Sequence, residues 1–267
     1  MESLKNNVKV LAVANGISFL ATLIVNMFAS TRGINGKTTG EISDQYPNLF
    51  VPADITFAIW IVIYLLLGVF CLFQLYIAFV KTKEAKFIEN IGFYFVLSCL
   101  ANMSWLFAWH YEKIGLSVCF MVVLLVSLIQ IYLSLNIQYK YKKIKAYKYG
   151  VLIPISVYLG WISIATIANI TVYLVSRNWQ GFGLSDVLWT VIVIVVGISL
   201  GMIAIFSRED IFYALVIDWA LLGIFLKRMA SDPRYQSIIW VTLLGMIVLT
   251  INCVLIVGKW KTHRTVK

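Results

Sequence analysis

Three apolar segments of the chain carry aromatic and amide side chains at helical spacing, and these residues are the ones best suited to bind a ligand. In VYLGWISIATIAN, residues 157–169, four positions are spaced three, four and four apart: Tyr158, Trp161, Ala165 and Asn169. At 100° per residue they fall within an arc of about 80° on one helix face. Aromatic faces stack on flat conjugated rings, and a few amides can orient the polar edge of such a ring. The spacing therefore indicates a face that could hold a flat hydrophobic molecule.

Two other segments repeat this arrangement and extend the set of candidate ligand-binding residues. The first has the same spacing of three, four and four, and the second has a spacing of three and four. The residues are Phe57, Trp60, Tyr64 and Gly68 in the first segment, and Asn102, Trp105 and Trp109 in the second. Such stripes also arise from ordinary helix packing, and the buried amides Asn102 and Asn169 could simply be each other's partners. This pattern alone is compatible with a ligand pocket and also with a packed interior.

The elements that must position these residues are membrane helices. Of the 267 residues, 61% are hydrophobic and only 13% are charged, and the mean hydropathy is +0.89. This composition excludes a soluble domain and predicts an all-α polytopic membrane bundle. Eight apolar runs approach the roughly 20 residues that a bilayer requires. They lie at about 9–29, 54–80, 90–109, 114–137, 149–174, 185–206, 210–227 and 236–258.

The positive charges predict how these helices thread the membrane. If the N-terminus is cytoplasmic, the inside segments hold 15 of the 22 Lys and Arg residues and the outside segments hold the other seven. This bias places both termini in the cytoplasm. The run YKYKKIKAYK, residues 139–148, then anchors the topology and can contact anionic lipid. The net charge of +10 therefore does not indicate a nucleic-acid partner.

The first loop, about residues 30–53, is the longest and should lie outside the membrane. Its glycines, polar residues and prolines predict an irregular segment with turns. It emerges above the outer ends of the aromatic faces, so we expect it to act as a lid on a pocket there; the alternative is a solvated connector. The expected lid residues are Asn35, Tyr46, Pro47, Phe50 and Pro52.

The three segments resemble a known family when their motifs are read in order. PNLFVPADITFAIWIVIYLLLG, residues 47–68, is similar to the stretch entering the second helix of the tryptophan-rich sensory protein/translocator protein (TspO/MBR) family. LANMSWLFAWH, residues 100–110, is similar to the family's third-helix motif, and VYLGWISIATIAN to its fifth-helix motif. The matching positions are Pro47, Pro52, Trp60, Tyr64, Asn102, Trp105, Phe107, Tyr158, Trp161, Ala165, Thr166 and Asn169. The chain departs from the family where Val51 replaces the first of two prolines and Val157 replaces another.

The resemblance covers roughly residues 9–176 and implies a five-helix core, residues 1–176, with a ligand pocket under the first loop. Residues 177–267 then form a three-helix membrane extension of the same bundle. Relatives of this kind bind porphyrins and other flat hydrophobic molecules, including sterols in eukaryotes. The resemblance thus implies a sensor, carrier or tetrapyrrole handler with a porphyrin or haem-like ligand and no required cofactor. We also expect a bacterial plasma membrane as its location and a homodimer as an assembly.

Two other function classes remain as alternatives. A secondary transporter is compatible with eight spans, although no inverted repeat is visible. An intramembrane enzyme could use Asp218, which lies near the middle of the seventh span, because a carboxylate there is costly and often functional. No second carboxylate, HExxH or GxSxG accompanies it. The four cysteines and two histidines show no metal-binding spacing, so no metal site is expected.

Overall fold

The structure is a computed structural model that describes residues 2–136, 145–231 and 235–265, and all regular structure in these ranges is helical. Eight long helices occur where the eight apolar runs were predicted. They are α1 (Glu2–Ser30), α3 (Ile59–Val80), α5 (Tyr94–His110), α6 (Ile114–Asn136), α8 (Ile153–Ser176), α9 (Asp186–Arg208), α10 (Ile211–Met229) and α11 (Gln236–Thr265). The prediction of an all-α polytopic membrane bundle is therefore confirmed. Part of the lysine run, residues 139–144, lies outside the described residues.

Six helical segments within the described ranges are long and apolar enough to cross a membrane. They are Asn7–Ser30, Asp54–Val80, Ile114–Leu135, Lys145–Ser176, Asp186–Arg208 and Gln236–Trp260. Of the other two long helices, α5 has only 17 residues, and α10 carries Asp218, Lys227 and Arg228. Large apolar side chains such as Leu65, Leu72 and Phe206 are more than two thirds exposed. Because such surfaces would be unfavourable in water, these helices embed the protein in lipid.

The chain forms two compact units. Unit 1 contains Met1–Gln45 and Ile59–Ile162, and unit 2 contains Tyr46–Ala58 and Ser163–Lys267. Helix α8 contributes its first ten residues to unit 1 and the remainder to unit 2. The aromatic face of α8 is therefore divided: Tyr158 and Trp161 belong to unit 1, whereas Ala165 and Asn169 belong to unit 2.

The first loop is more ordered than its composition suggested. It contains a short helix, α2 (Thr39–Asp44), which begins with a capping box. The Thr38 hydroxyl accepts a hydrogen bond from the Glu41 backbone N–H at 3.2 Å, and the Glu41 carboxylate accepts one from the Thr38 backbone N–H at 2.8 Å. These reciprocal bonds satisfy two donors at the helix start, which favours helix over irregular backbone. The expectation of an irregular segment was wrong for these residues.

The fifth long helix begins with a widened turn. A short helix, α7 (Lys145–Tyr147), leads into a π-helical turn, Lys148–Leu152, in which the Ile153 N–H donates to the Lys148 carbonyl five residues earlier. Pro154 follows at once and has no N–H to offer the carbonyl of Gly150. Gly150 also packs closely, since a Cβ there would lie 2.7 Å from Phe73 Cγ. A wide turn is thus placed where a regular α-helix would lose a hydrogen bond.

Candidate functional site

Four aromatic rings from α3 and α8 meet in the interior of unit 1. The Trp60 ring stacks on Tyr64 with centroids 5.4 Å apart and planes at 19°. It also meets Tyr158 at 6.3 Å and Trp161 at 6.2 Å, with interplanar angles of 64° and 83°. Tyr158 and Trp161 are each only 3% exposed. We call these four residues the aromatic cluster.

The aromatic cluster is joined to a chain of amides. The Asn102 side-chain N–H donates to the Tyr158 hydroxyl at 3.3 Å. The Asn102 side-chain oxygen accepts from the Asn26 amide at 2.9 Å, and the same Asn26 nitrogen donates to the Thr22 carbonyl. The Tyr64 hydroxyl is buried and has no hydrogen-bond partner among the described residues. A hydrogen-bonded amide and an unpartnered hydroxyl therefore lie at the aromatic cluster. Such polar groups can orient a ring that has a polar edge.

A second aromatic pair lies farther along α5, where the first loop contacts the helix end. Trp105 and Trp109 stack with centroids 6.0 Å apart, and the Trp109 indole N–H donates to the Thr39 carbonyl at 3.2 Å. Two more contacts fix the early part of the loop. The Asn35 amide donates to the His110 carbonyl at 2.7 Å, and Lys37 pairs with Glu112 at 2.5 Å. The first half of the expected lid is thus attached to the end of α5.

The second half of the first loop belongs to unit 2 and packs on α10. The Ala53 N–H donates to the Gly223 carbonyl at 3.0 Å, and the Trp219 indole N–H donates to the Thr56 carbonyl at 2.9 Å. A Cβ on Gly223 would lie 1.9 Å from the Thr56 hydroxyl oxygen and 2.9 Å from Pro52 Cβ. Only glycine permits this close approach without displacing the loop.

The remaining predicted residues in this segment and in α8 also lie in unit 2. Phe50 and Pro52 are buried, Tyr46 is half-buried and Pro47 is exposed. The Asn48 side chain turns the backbone here, since its oxygen accepts from the N–H groups of Phe50 and Val51, both at 3.1 Å. The other candidate residues of unit 2 are Phe57, Ala165 and Asn169.

The spacing of the aromatic segments predicts that Trp60, Trp105, Trp161 and Asn169 converge in one cavity, and the observed contacts join only some of these residues. Trp60 and Trp161 touch directly. Trp105 stacks with Trp109, and Asn169 lies in unit 2. A shared cavity for all four stays a prediction.

Asp218 has a local partner in unit 2. Its Oδ2 accepts a hydrogen bond from the Thr250 hydroxyl of α11 at 2.8 Å, and its Oδ1 is buried without a partner among the described residues. Within those residues no group of three His, Cys, Asp or Glu side chains is placed to hold a metal ion. The observed contact supports a role in pairing α10 with α11.

Sequence reasoning missed a polar face on α1. Asn15, Ser18, Thr22 and Asn26 are spaced three, four and four apart, as in the aromatic segments. Asn15 donates to the Gln74 side-chain oxygen of α3 at 2.8 Å, while Ser18 and Thr22 donate to backbone carbonyls of their own helix. The same spacing rule that found the aromatic faces would have revealed this one, had it been applied to polar residues in the first span.

The chain was compared with known proteins in three ways. A family model described as "TSPO-like protein" matches residues 12–255, a range that runs from α1 into α11 and includes the aromatic cluster, α9, α10 and most of α11. No curated protein and no solved structure matches the chain. Since the family model spans most of the sequence, this integral membrane protein belongs to the TSPO-like family.

Proposed function

We propose that this protein binds a flat hydrophobic molecule of the porphyrin or tetrapyrrole class at the aromatic cluster. The observation that carries the proposal is the meeting of Trp60, Tyr64, Tyr158 and Trp161 beside the hydrogen-bonded amide of Asn102. Aromatic rings held at several angles present both faces and edges to a conjugated ligand. A neighbouring amide can bind the ligand's polar edge, and few other groups are needed in an apolar site.

The protein would bind the ligand without forming or breaking covalent bonds in it. The aromatic cluster and the neighbouring amide of Asn102 can bind and orient a ligand, but these groups are poor acids, bases or nucleophiles at neutral pH. We therefore propose a role as a sensor or carrier of the ligand. The location proposed is a bacterial plasma membrane, with both termini in the cytoplasm. The 15-to-7 distribution of Lys and Arg supports the cytoplasmic side for the termini. A sterol-like molecule is the other flat ligand that such a surface would accept.

A titration of the purified protein tests this proposal. The full chain in lipid nanodiscs is titrated with protoporphyrin IX while tryptophan fluorescence and the porphyrin absorbance band are followed. Saturable quenching with a shifted band is expected. A double variant, Trp60→Leu with Trp161→Leu, should retain its helicity by circular dichroism but lose most of the band shift. A helical double variant that binds the porphyrin as tightly as the unmodified chain would overturn the proposal.

A further inference from the structure

The interior of unit 1 contains a second polar location, between Asn15 of α1 and Gln74 of α3. Both side chains are fully buried, and they are joined by one hydrogen bond, from Asn15 Nδ2 to Gln74 Oε1 at 2.8 Å. The Cys71 thiol, one turn before Gln74, lies 3.9 Å from the Asn15 carbonyl oxygen. None of these residues belongs to the aromatic cluster.

Two of the four side-chain polar atoms of this amide pair have no hydrogen-bond partner among the described residues. Asn15 Oδ1 and Gln74 Nε2 are buried and have no hydrogen-bond partner among the described residues. One is an acceptor and the other a donor. Burying a polar atom without a partner costs the full free energy of removing that atom from water. Lipid offers no hydrogen bond to replace the lost ones. Two such atoms on adjoining side chains therefore point to a ligand that satisfies both.

The neighbouring polar residues of α1 do not fill this need, because they donate their hydroxyl hydrogens within α1 and neither oxygen accepts from Gln74 Nε2. The Ser18 hydroxyl donates to the Asn15 carbonyl at 3.1 Å, and the Thr22 hydroxyl donates to the Ser18 carbonyl at 2.9 Å. At the other end of this polar face, where Asn26 bonds to α5, the Asn102 amide has protein partners for both its oxygen and its nitrogen. The unmet donor and acceptor are thus confined to the Asn15–Gln74 end of the polar face.

We propose that Asn15 and Gln74 form a binding site for one hydroxyl group. The hydroxyl donates its hydrogen to Asn15 Oδ1 and accepts a hydrogen bond from Gln74 Nε2. An O–H group matches this pair because it supplies one donor and at least one acceptor from a single oxygen. Water and the head of an amphipathic alcohol share this chemistry, and water in such a place typically makes two to four hydrogen bonds.

Nuclear magnetic resonance can detect the bound hydroxyl directly. The full chain, with ¹⁵N in its glutamine and asparagine side chains, is placed in nanodiscs of diacyl phosphatidylcholine, a lipid without hydroxyl groups. The Gln74 side-chain protons should show a rotating-frame cross peak to long-lived water. Asn102 is the internal control and should show none, because its amide is already bonded within the protein. A cross peak of equal strength at Asn102 would overturn the assignment, since water would then reach every buried amide.

A second arm distinguishes the source of the hydroxyl. Addition of 1-decanol should either leave the water cross peak in place or replace it with contacts from Gln74 to the alcohol's CH₂OH protons. Either result supports a hydroxyl site and identifies its occupant. If Gln74 shows neither contact, the proposal is wrong.

A variant tests the role of Asn15. Asn15→Leu removes both the Oδ1 acceptor and the Nδ2 donor that bonds to Gln74 Oε1, so the Gln74 cross peak should fall severalfold. An undiminished cross peak in a folded variant would exclude Asn15 from the site. If the variant does not fold, the comparison of Gln74 with Asn102 in the unmodified chain still decides the question.

Discussion

Trp60 of α3 and Trp161 of α8 meet edge to face, with ring centroids 6.2 Å apart and ring planes at 83°. The two residues are about a hundred positions apart in the chain and lie at the same place in two segments with the same spacing pattern. An edge-to-face pair directs the positive edge of one ring at the negative face of the other. The contact therefore fixes both rings at an angle to each other, so the proposed flat ligand would meet two differently oriented ring surfaces in unit 1.

The loss of one of these surfaces should weaken porphyrin binding. Trp161→Ala is expected to cost about 1–3 kcal/mol of binding free energy, a range taken from base–aromatic stacking. This corresponds to an increase in Kd of about fivefold to about a hundredfold. Isothermal titration calorimetry is the suitable measurement because it does not depend on the tryptophan removed. Trp240→Ala, at a side chain that is 58% exposed on α11, is the matched control. Equal affinities of the two variants would contradict the assignment.

The attachment of the first loop to α5 should slow ligand release. Deletion of residues 35–42 removes the contacts of Asn35, Lys37 and Thr39 with the helix end, so dissociation should become faster while the helices remain folded.

A point variant makes the same test of the loop with less disturbance. Asn35→Ala removes one hydrogen bond to the His110 carbonyl, worth about 0.5–1.5 kcal/mol. Dissociation should accelerate about two- to tenfold in stopped-flow measurements, whereas Gln180→Ala in another loop should have no effect. Unchanged off-rates for both loop variants, with helicity intact, would mean that the loop is only a connector.

Gly223 should tolerate no side chain. In Gly223→Ala, the new Cβ would collide with Thr56 and Pro52, so the loop segment must move or the helix must shift. Such overpacking costs typically about 1–3 kcal/mol of stability. A lower midpoint of thermal unfolding is expected, together with loss of the Ala53-to-Gly223 hydrogen bond. The control is Gly258→Ala, where nothing lies within 4 Å of the added atom. Equal midpoints for the two variants would show that the close approach is not required.

The ion pair between Arg32 and Glu41 in the first loop should depend on pH, and only in acidic solution. The hydrogen bond from Arg32 lowers the pKa of the Glu41 carboxyl from 4.5 to about 2. A carboxyl with a lowered pKa stabilises the folded loop above its unfolded pKa, and the contribution is lost as the pH falls through the folded pKa. The loop contact should therefore persist at pH 5 and disappear between about pH 4.5 and about pH 2.

Titration of the Glu41 carboxyl carbon by ¹³C spectroscopy checks this expectation. Arg32→Gln should move the Glu41 midpoint upward, toward that of an ordinary glutamate. Lys37→Gln is the control, because Lys37 pairs with Glu112 and not with Glu41. A midpoint that does not respond to Arg32→Gln would rule out the ion pair as the cause.

The threading of the helices gives a further prediction. Reporter fusions at residue 40 and after Lys267 should lie on opposite sides of the membrane, because the Lys and Arg residues favour cytoplasmic termini and an outer first loop. An enzymatic reporter that is active only in the cytoplasm, paired with one active only outside, distinguishes the sides. Both fusions on one side would exclude this topology.

The positions of the long helices were predictable because each membrane helix is a continuous apolar run with charged or turn residues at its ends. The run at 114–137 became Ile114–Asn136, and the run at 185–206 became Asp186–Arg208. The short helix α2 was also readable from Thr38 and Glu41 at capping-box spacing. Its absence from the sequence interpretation came from giving loop composition more weight than the local motif.

The contacts of the candidate site were less predictable. Spacing along one helix shows which residues share a face, but not which face of another helix they meet. The sequence therefore predicts one site for all the aromatic faces and does not separate the Trp60–Trp161 contact from the Trp105–Trp109 stack. The approach of Thr56 to Gly223 joins residues 167 positions apart and leaves no local pattern. The polar face beginning at Asn15 was overlooked because isolated polar residues barely change the hydropathy of a long apolar run.

The π-helical turn at Lys148–Leu152 has a consequence for every side chain that follows it in α8. A π turn holds about one more residue than an α turn, so the helix beyond it is out of phase with the helix before it by about one residue, or about 100°. Tyr147 of α7 and the rings of Tyr158 and Trp161 in α8 are therefore offset by about 100° from the relative directions that a continuous α-helix would give them. Loss of one residue from this turn would change the direction of Tyr147, which packs on Phe87 with ring centroids 5.4 Å apart, relative to the rings that contact Trp60, without altering any residue of the aromatic cluster.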